Sequence, residues 1–168
     1  LYSTDASMYQ IEPLGVVYPE HTQDVSRVIR LAYENGIPIT PRGGGTSLGG
    51  QAVGQSLQMD LSKHMNRIIE VNVEERWARV QPGVVLDELN AHLKPMGLLF
   101  APDVSPSNRA NVGGMIGNNS CGAHSIIYMC HEEPSEDRPL EEAMRVWKDP
   151  AREPEWLGAP QWDHDMIS

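Results

Sequence analysis

The sequence predicts an α+β fold built from short strands. Three observations carry that reading. Apolar patterns follow one another in the order β-α-β-β-β-β-α-β, two turn-rich segments are too long to be plain connections, and the composition changes near Tyr128. Leu14–Tyr18 is an apolar run closed by Pro19, which suits a strand. Thr22 is the expected helix cap, and Val25, Val28, Ile29 and Ala32 then fall on one helical face until Asn35-Gly36 ends it. Ile37–Thr40 and Leu57–Leu61 read as strands on either side of a glycine-rich segment. Ile68–Val73 and Trp77–Val80 read as a hairpin joined around Glu74-Glu75. Pro82-Gly83 marks a turn. Leu86, Leu89 and Leu93 make a helical stripe stopped by Pro95 and Gly97, and Leu98–Phe100 is a short strand. Ala101–Gly122 shows little periodicity and reads as a long functional loop.

Beyond Tyr128 the pattern fades. Residues 1–128 carry 9 Lys/Arg and 12 Asp/Glu, whereas residues 129–168 carry 4 and 11. Fourteen of the 15 glycines precede the break, and Trp147, Trp156 and Trp162 follow it. Five prolines interrupt the later segment, where only Glu141–Lys148 has the makings of two helical turns. The division expected is a folded part, 1–128, and an acidic tail, 129–168.

The glycine-rich segment reads Pro41-Arg42-Gly43-Gly44-Gly45-Thr46-Ser47-Leu48-Gly49-Gly50-Gln51. Glycines remove the side chains that hold a backbone away from a ligand, so successive N–H groups can turn inward on a pyrophosphate. Thr46 and Ser47 add hydroxyl donors. Such a nest works by local dipoles, as it must in a chain of net charge −10. The segment lacks the Lys-Ser/Thr ending of a P-loop, and the strand before it leads into loop rather than the helix of a Rossmann turn. The plain alternative is a flexible glycine linker. Arg42 has two readings, a phosphate partner or a structural ion pair, and so does Arg109.

Ala101–His124 is the second informative segment, with Pro102, Pro106, Gly113-Gly114, Asn118-Asn119 and Ser120. Prolines fix its path, glycines permit close approach, and Asn and Ser supply neutral hydrogen-bonding groups. A flavin ring wants that chemistry, without a charge buried beside it. A structural Ω-loop is the alternative.

PRGGGTSLGGQ resembles the first FAD loop of the superfamily that includes vanillyl-alcohol oxidase and p-cresol methylhydroxylase. Within it the likeness is strongest to D-lactate, glycolate and D-2-hydroxyglutarate dehydrogenases. The opening LYSTDASMYQIEPLGVVYPEHTQDV is similar to the start of that domain, especially in long forms fused to an iron–sulfur part. The second segment resembles the family's second FAD loop, and the likeness runs to Tyr128. The resemblance implies a partial FAD-binding domain of the p-cresol methylhydroxylase type, its N-terminal subdomain with part of the second. The candidate cofactor contacts are Pro41, Arg42, Gly43, Gly44, Gly45, Thr46, Ser47, Gly49 and Gln51 from the first loop. The second adds Pro102, Ser107, Asn108, Gly113, Gly114, Asn118, Asn119, Gly122 and Ala123. Covalent relatives carry a histidine after the glycines where this chain has Thr46, which implies FAD held non-covalently.

The activity implied for the intact enzyme is hydride transfer from the α-carbon of a 2-hydroxy acid to flavin N5. No catalytic base or substrate clamp is assignable here, and further C-terminal domains are expected to supply them. The alternative is a truncated or frame-altered chain that binds nucleotide weakly or not at all.

Other classes fit poorly. The acidic balance argues against nucleic acid, and no run approaches the ~20 apolar residues of a membrane span. No secretion signal opens the chain, and Leu1 at its start suggests a missing upstream segment. Cys121 and Cys130 make no disulfide framework, so a cytoplasmic setting is expected, with peripheral attachment to the inner membrane open for the intact enzyme. No metal is expected: Cys121, His124, Cys130 and His131 have spacing unsuited to a tetrahedral site. Cys121 is expected as a small buried residue beside the flavin. His124 reads either as a donor to a flavin oxygen or as a satisfied loop histidine. His21, His64 and His92 are expected at the surface, and Asp60 and Asp103 in turns.

Overall fold

A computed structural model describes residues 1–122 together with the strand at 147–148. The elements are β1 (Gly15–Val17), α1 (Thr22–Glu34), β2 (Ile39–Arg42), β3 (Leu57–Asp60), β4 (Ile68–Asn72), β5 (Trp77–Val80), α2 (Leu86–Leu93), a 3-10 turn (Lys94–Met96), β6 (Leu98–Leu99), α3 (Val112–Gly117) and β7 (Trp147–Lys148). Helices and strands mix as an α+β fold requires. β1, β3 and β2 form a parallel sheet with β3 in the middle. Parallel neighbours need a long crossover. α1 supplies it between β1 and β2, and the glycine segment supplies it between β2 and β3. That is why the loop leaves the sheet at Arg42 and returns at Leu57.

The cap of α1 lies one residue before the expected Thr22. Its N-cap is His21, because the Asp24 carboxylate reaches back to accept from the amides of His21 at 3.0 Å and Glu20 at 3.2 Å. β4 and β5 pair antiparallel, as the hairpin reading expected, with a bulge near Ile69. Arg76, with φ of 59°, completes their turn.

Leu86, Leu89 and Leu93 are buried on one face of α2, at the spacing read from the sequence. They join Ala78, Val84, Leu98, Phe100, Ala110, Val112 and Met115 in one apolar cluster. Asn90 stitches α2 to the chain after β6, its Oδ1 accepting from the Phe100 amide at 2.8 Å.

Two expectations are corrected. The second segment is not wholly loop, for it contains α3. Three of that helix's six residues are glycine, so propensity hides it. Long-range bonds hold its start: the Val112 amide donates to the Val84 carbonyl at 2.9 Å and the Gly113 amide to that of Pro82 at 2.9 Å. In the tail, Trp147–Lys148 is strand rather than helix, pairing antiparallel with β6; the remainder of Glu141–Lys148 lies outside the described residues.

Candidate cofactor site

The two glycine-rich segments, far apart in sequence, meet in space. A Cβ placed on Gly43 would come within 2.5 Å of Asn111 Oδ1, and one on Gly44 would run into the Arg109 carbonyl oxygen. The first two loop glycines therefore let the second loop lie against the first. The same pair is closed further along by Asn118 Nδ2, which donates to Ser47 Oγ at 3.3 Å.

The second loop is itself anchored from beneath. Its backbone runs beside Pro82–Leu86, with a bridge between Val85 and Asn111 and a bond from the Leu86 amide to the Ala110 carbonyl at 3.0 Å. Ala110, Val112 and Met115 point into the apolar cluster. Loop position and core packing are thus one event.

Asn111 is the residue that sequence reasoning missed. It is buried, and its Nδ2 donates to the Gly83 carbonyl at 2.6 Å, while its Oδ1 has no hydrogen-bond partner and lies against Gly43. A buried acceptor left unmet costs ~1–3 kcal/mol. The place suits a ligand bearing a hydroxyl or an imide N–H. Gly114 is exposed, and a Cβ there would meet nothing within 4 Å. Neutral polar groups and open glycine backbone are what a flavin dinucleotide requires, so the residues present fit that group. The signal available in the sequence was Asn111 directly before the Val112-Gly113-Gly114 run.

The remaining expected contacts divide by location. Pro41, Gly44, Gly49 and Gln51 are exposed, Gly45, Thr46 and Ser47 are half-buried, and Gln51 Oε1 accepts from the Gly49 amide at 3.1 Å. Pro102, Ser107, Gly113 and Gly122 are half-buried, and Asn108, Asn118 and Asn119 are exposed. Gly122 lies against the Asp103 backbone, where a Cβ would strike the carbonyl oxygen. Ala123 lies outside the described residues, as do His124, Cys130 and His131.

The Arg42 side chain does not turn outward. It is buried, donating to the Ala52 carbonyl at 2.7 Å and the Thr4 carbonyl at 2.7 Å, with its guanidinium 5.3 Å from the Tyr2 ring centre. Its partners are carbonyls rather than a carboxylate, and its work is structural. Arg109 is exposed and meets the first loop through its backbone oxygen. Cys121 is exposed, which corrects the expectation of a buried thiol. His21, His64 and His92 are at the surface.

Asp60 does close a turn, its Oδ1 accepting from the Ser62 amide at 2.8 Å, but its Oδ2 also accepts from the Tyr2 hydroxyl at 2.6 Å. Burial, then the bond to Asp60, push the Tyr2 phenol well above its usual range. Burial works to raise the Asp5 carboxyl, but hydrogen bonds from Ser7 and Ala52, with Arg42 near, outweigh it and hold the group below its ordinary value. A depressed carboxyl stabilises the fold above the unfolded-state pKa. That contribution is lost as pH falls through the lower folded value.

Among the described residues no three His, Cys, Asp or Glu side chains gather to hold a metal, and no helix is long and apolar enough to cross a membrane.

A parallel sheet whose glycine loop is closed by a second, mostly uncharged segment is an arrangement that fits a nucleotide cofactor. The chain belongs to the FAD binding domain family, whose model matches residues 13–133, and its cofactor is FAD. It is 50% identical over 129 residues to a D-2-hydroxyglutarate dehydrogenase of Pantoea ananatis, covering 75% of this chain and 13% of that protein. It is 38% identical over 130 residues to glycolate oxidase subunit GlcD of Bacillus subtilis, covering 76% of this chain and 28% of that one. A solved alkyldihydroxyacetonephosphate synthase shares the fold with a TM-score of 0.62 at 21% identity, over 79% of this chain and 33% of its own. The chain thus spans only a small part of the curated relatives it matches.

Proposed function

We propose that this chain is the FAD-binding portion of a flavin-dependent 2-hydroxy-acid dehydrogenase. The observation that carries the reading is the docking of the two loops, Gly43 and Gly44 on Arg109 and Asn111, with Ser47 bonded to Asn118. The named relatives supply the substrate class. FAD, when bound, takes the hydride from the substrate α-carbon. The chain's own residues bind and orient it. Backbone amides of Gly43–Ser47, with Thr46 and Gly49, receive phosphate oxygens. Ser107, Asn108, Gly113, Gly114, Asn118, Asn119 and Gly122 line the flavin side, where Asn111 Oδ1 accepts from a hydroxyl or N–H. Pro41, Gln51, Pro102 and Ala123 border the site. Residues 1–128 are assigned to the partial domain and 129–168 to an acidic segment of different composition, of which Trp147–Lys148 pairs with β6. The base and the substrate clamp belong to sequence beyond this chain. A cytoplasmic location completes the proposal, supported by the absence of a cysteine framework in the sequence.

Attachment is non-covalent, because Thr46 stands where covalent relatives have a histidine. Purified chain reconstituted with FAD is expected to show a flavin absorption band, and acid precipitation is expected to leave all of the flavin in the supernatant. Yellow colour remaining with the washed pellet would contradict this.

A second reading is favoured by the change of composition after Tyr128, namely a chain without catalysis of its own. The expected result agrees for the isolated chain. Orientation of the substrate and a base within hydrogen-bond reach supply much of a dehydrogenation rate, and neither is assigned here. Mixed with FAD, an artificial dye and D-lactate, glycolate or D-2-hydroxyglutarate, the chain is expected to reduce dye no faster than free FAD. Saturable, acid-dependent dye reduction would show that the tail completes a substrate site.

A further inference from the structure

The segment before β1 crosses over the glycine loop. The Ala6 amide donates to the Gly45 carbonyl at 3.0 Å, and the ring of Tyr9 lies where a Cβ on Gly50 would fall, 2.6 Å away. Two opposite charges hold this crossing. Asp5 Oδ2 accepts from the Ala52 amide at 3.2 Å, while Arg42 Nη1 donates to the Ala52 carbonyl at 2.7 Å. Asp5 Oδ1 accepts from the Ser7 amide at 2.8 Å, and Arg42 Nη2 reaches the Thr4 carbonyl at 2.7 Å. Arg42 stands at the start of the glycine loop and Ala52 near its end. Asp5 and Arg42 therefore grip both polar groups of Ala52 and tie the two ends of the loop to one strap.

A loop with glycine at 43, 44, 45, 49 and 50 has more conformations to lose than a loop of the same length without glycine. If that loss falls at ligand binding, affinity drops; if it falls at folding, the nest waits in shape. We propose that Asp5 and Arg42 are positioning residues that preorganise the glycine loop for FAD. The proposal rests on the reading that this loop receives the cofactor.

The test uses the whole chain, with amide hydrogen exchange measured without FAD and FAD affinity measured by fluorescence quenching. Ser7 and Ala52 lose a partner directly in Asp5→Ala. The informative amides are Ala6 and Val53, which bond to the loop carbonyls of Gly45 and Gly50. Asp5→Ala is expected to speed exchange at Ala6 and Val53 at least tenfold, to leave Leu89 in α2 unchanged, and to weaken FAD binding about tenfold. Asp5→Asn, which keeps an acceptor oxygen, is expected to recover part of both effects. Arg42→Lys, whose single nitrogen cannot span two carbonyls, is expected to behave like Asp5→Ala.

Unchanged exchange at Ala6 and Val53 would overturn the clamp. Equal acceleration at Leu89 would overturn it too, since the residues would then serve stability alone. Faster exchange with FAD affinity unaltered would overturn preorganisation while leaving the site reading intact. Faster exchange in a chain that binds no FAD even as the parent would overturn the site reading, and the positioning role with it.

Discussion

Gly44→Val is expected to remove FAD binding at concentrations that saturate the parent and to lower the melting temperature as well. Its side chain must occupy the place of the Arg109 carbonyl oxygen, which is backbone and has little freedom to move. The second loop then withdraws from the first, and both halves of the site separate. Overpacking of this kind costs ~1–3 kcal/mol in stability. Gly114→Val makes the contrast. A Cβ there meets open space, so the fold is expected to survive while flavin affinity falls by at least tenfold. Gly97→Ala is the control: φ of 70° strains a side chain by about 1 kcal/mol, a Cβ there meets nothing within 4 Å, and affinity should stay near that of the parent. Fluorescence quenching and thermal melts on the three variants give six numbers. Equal affinity across all three would detach these loops from the cofactor.

Leu93→Ala is expected to cost ~2–5 kcal/mol, because the side chain is wholly buried in the cluster that includes Leu86, Leu89, Val112 and Met115. Domains of ordinary size hold only ~5–15 kcal/mol in all. The melting temperature should fall by roughly 10 °C or more. FAD affinity should fall with it, although Leu93 belongs to neither loop. Ala110, Val112 and Met115 carry the second loop into that same cluster, so loosening the core loosens the site. A Leu93→Ala chain with unchanged melting temperature would place the core elsewhere.

The α2 stripe was legible because three leucines at helical spacing admit one face and one burial. The hairpin was legible because two short apolar segments flank Glu74-Glu75. α3 was not: Val112-Gly113-Gly114-Met115-Ile116-Gly117 has poor propensity, and the bonds that start it come from Pro82 and Val84. Arg42 reads from sequence either as a partner for a phosphate or as one half of a structural ion pair. Only its neighbours, the carbonyls of Thr4 and Ala52, turn it inward. Cys121 is expected as a small buried residue, as free cysteines usually are, yet it lies at the surface.

By itself the sequence determined the alternation of strands and helices, the two glycine-bearing segments and the chemistry they offer. Periodic burial and turn chemistry act over a few residues, and so are written where they act. The tertiary structure alone decided what the loop glycines admit, which asparagine is buried, and how the opening strap holds the nest. Those outcomes depend on contacts such as Asn118 to Ser47, 71 residues apart. A close approach between distant segments is set by the packing of everything between them, not by the residues that finally touch.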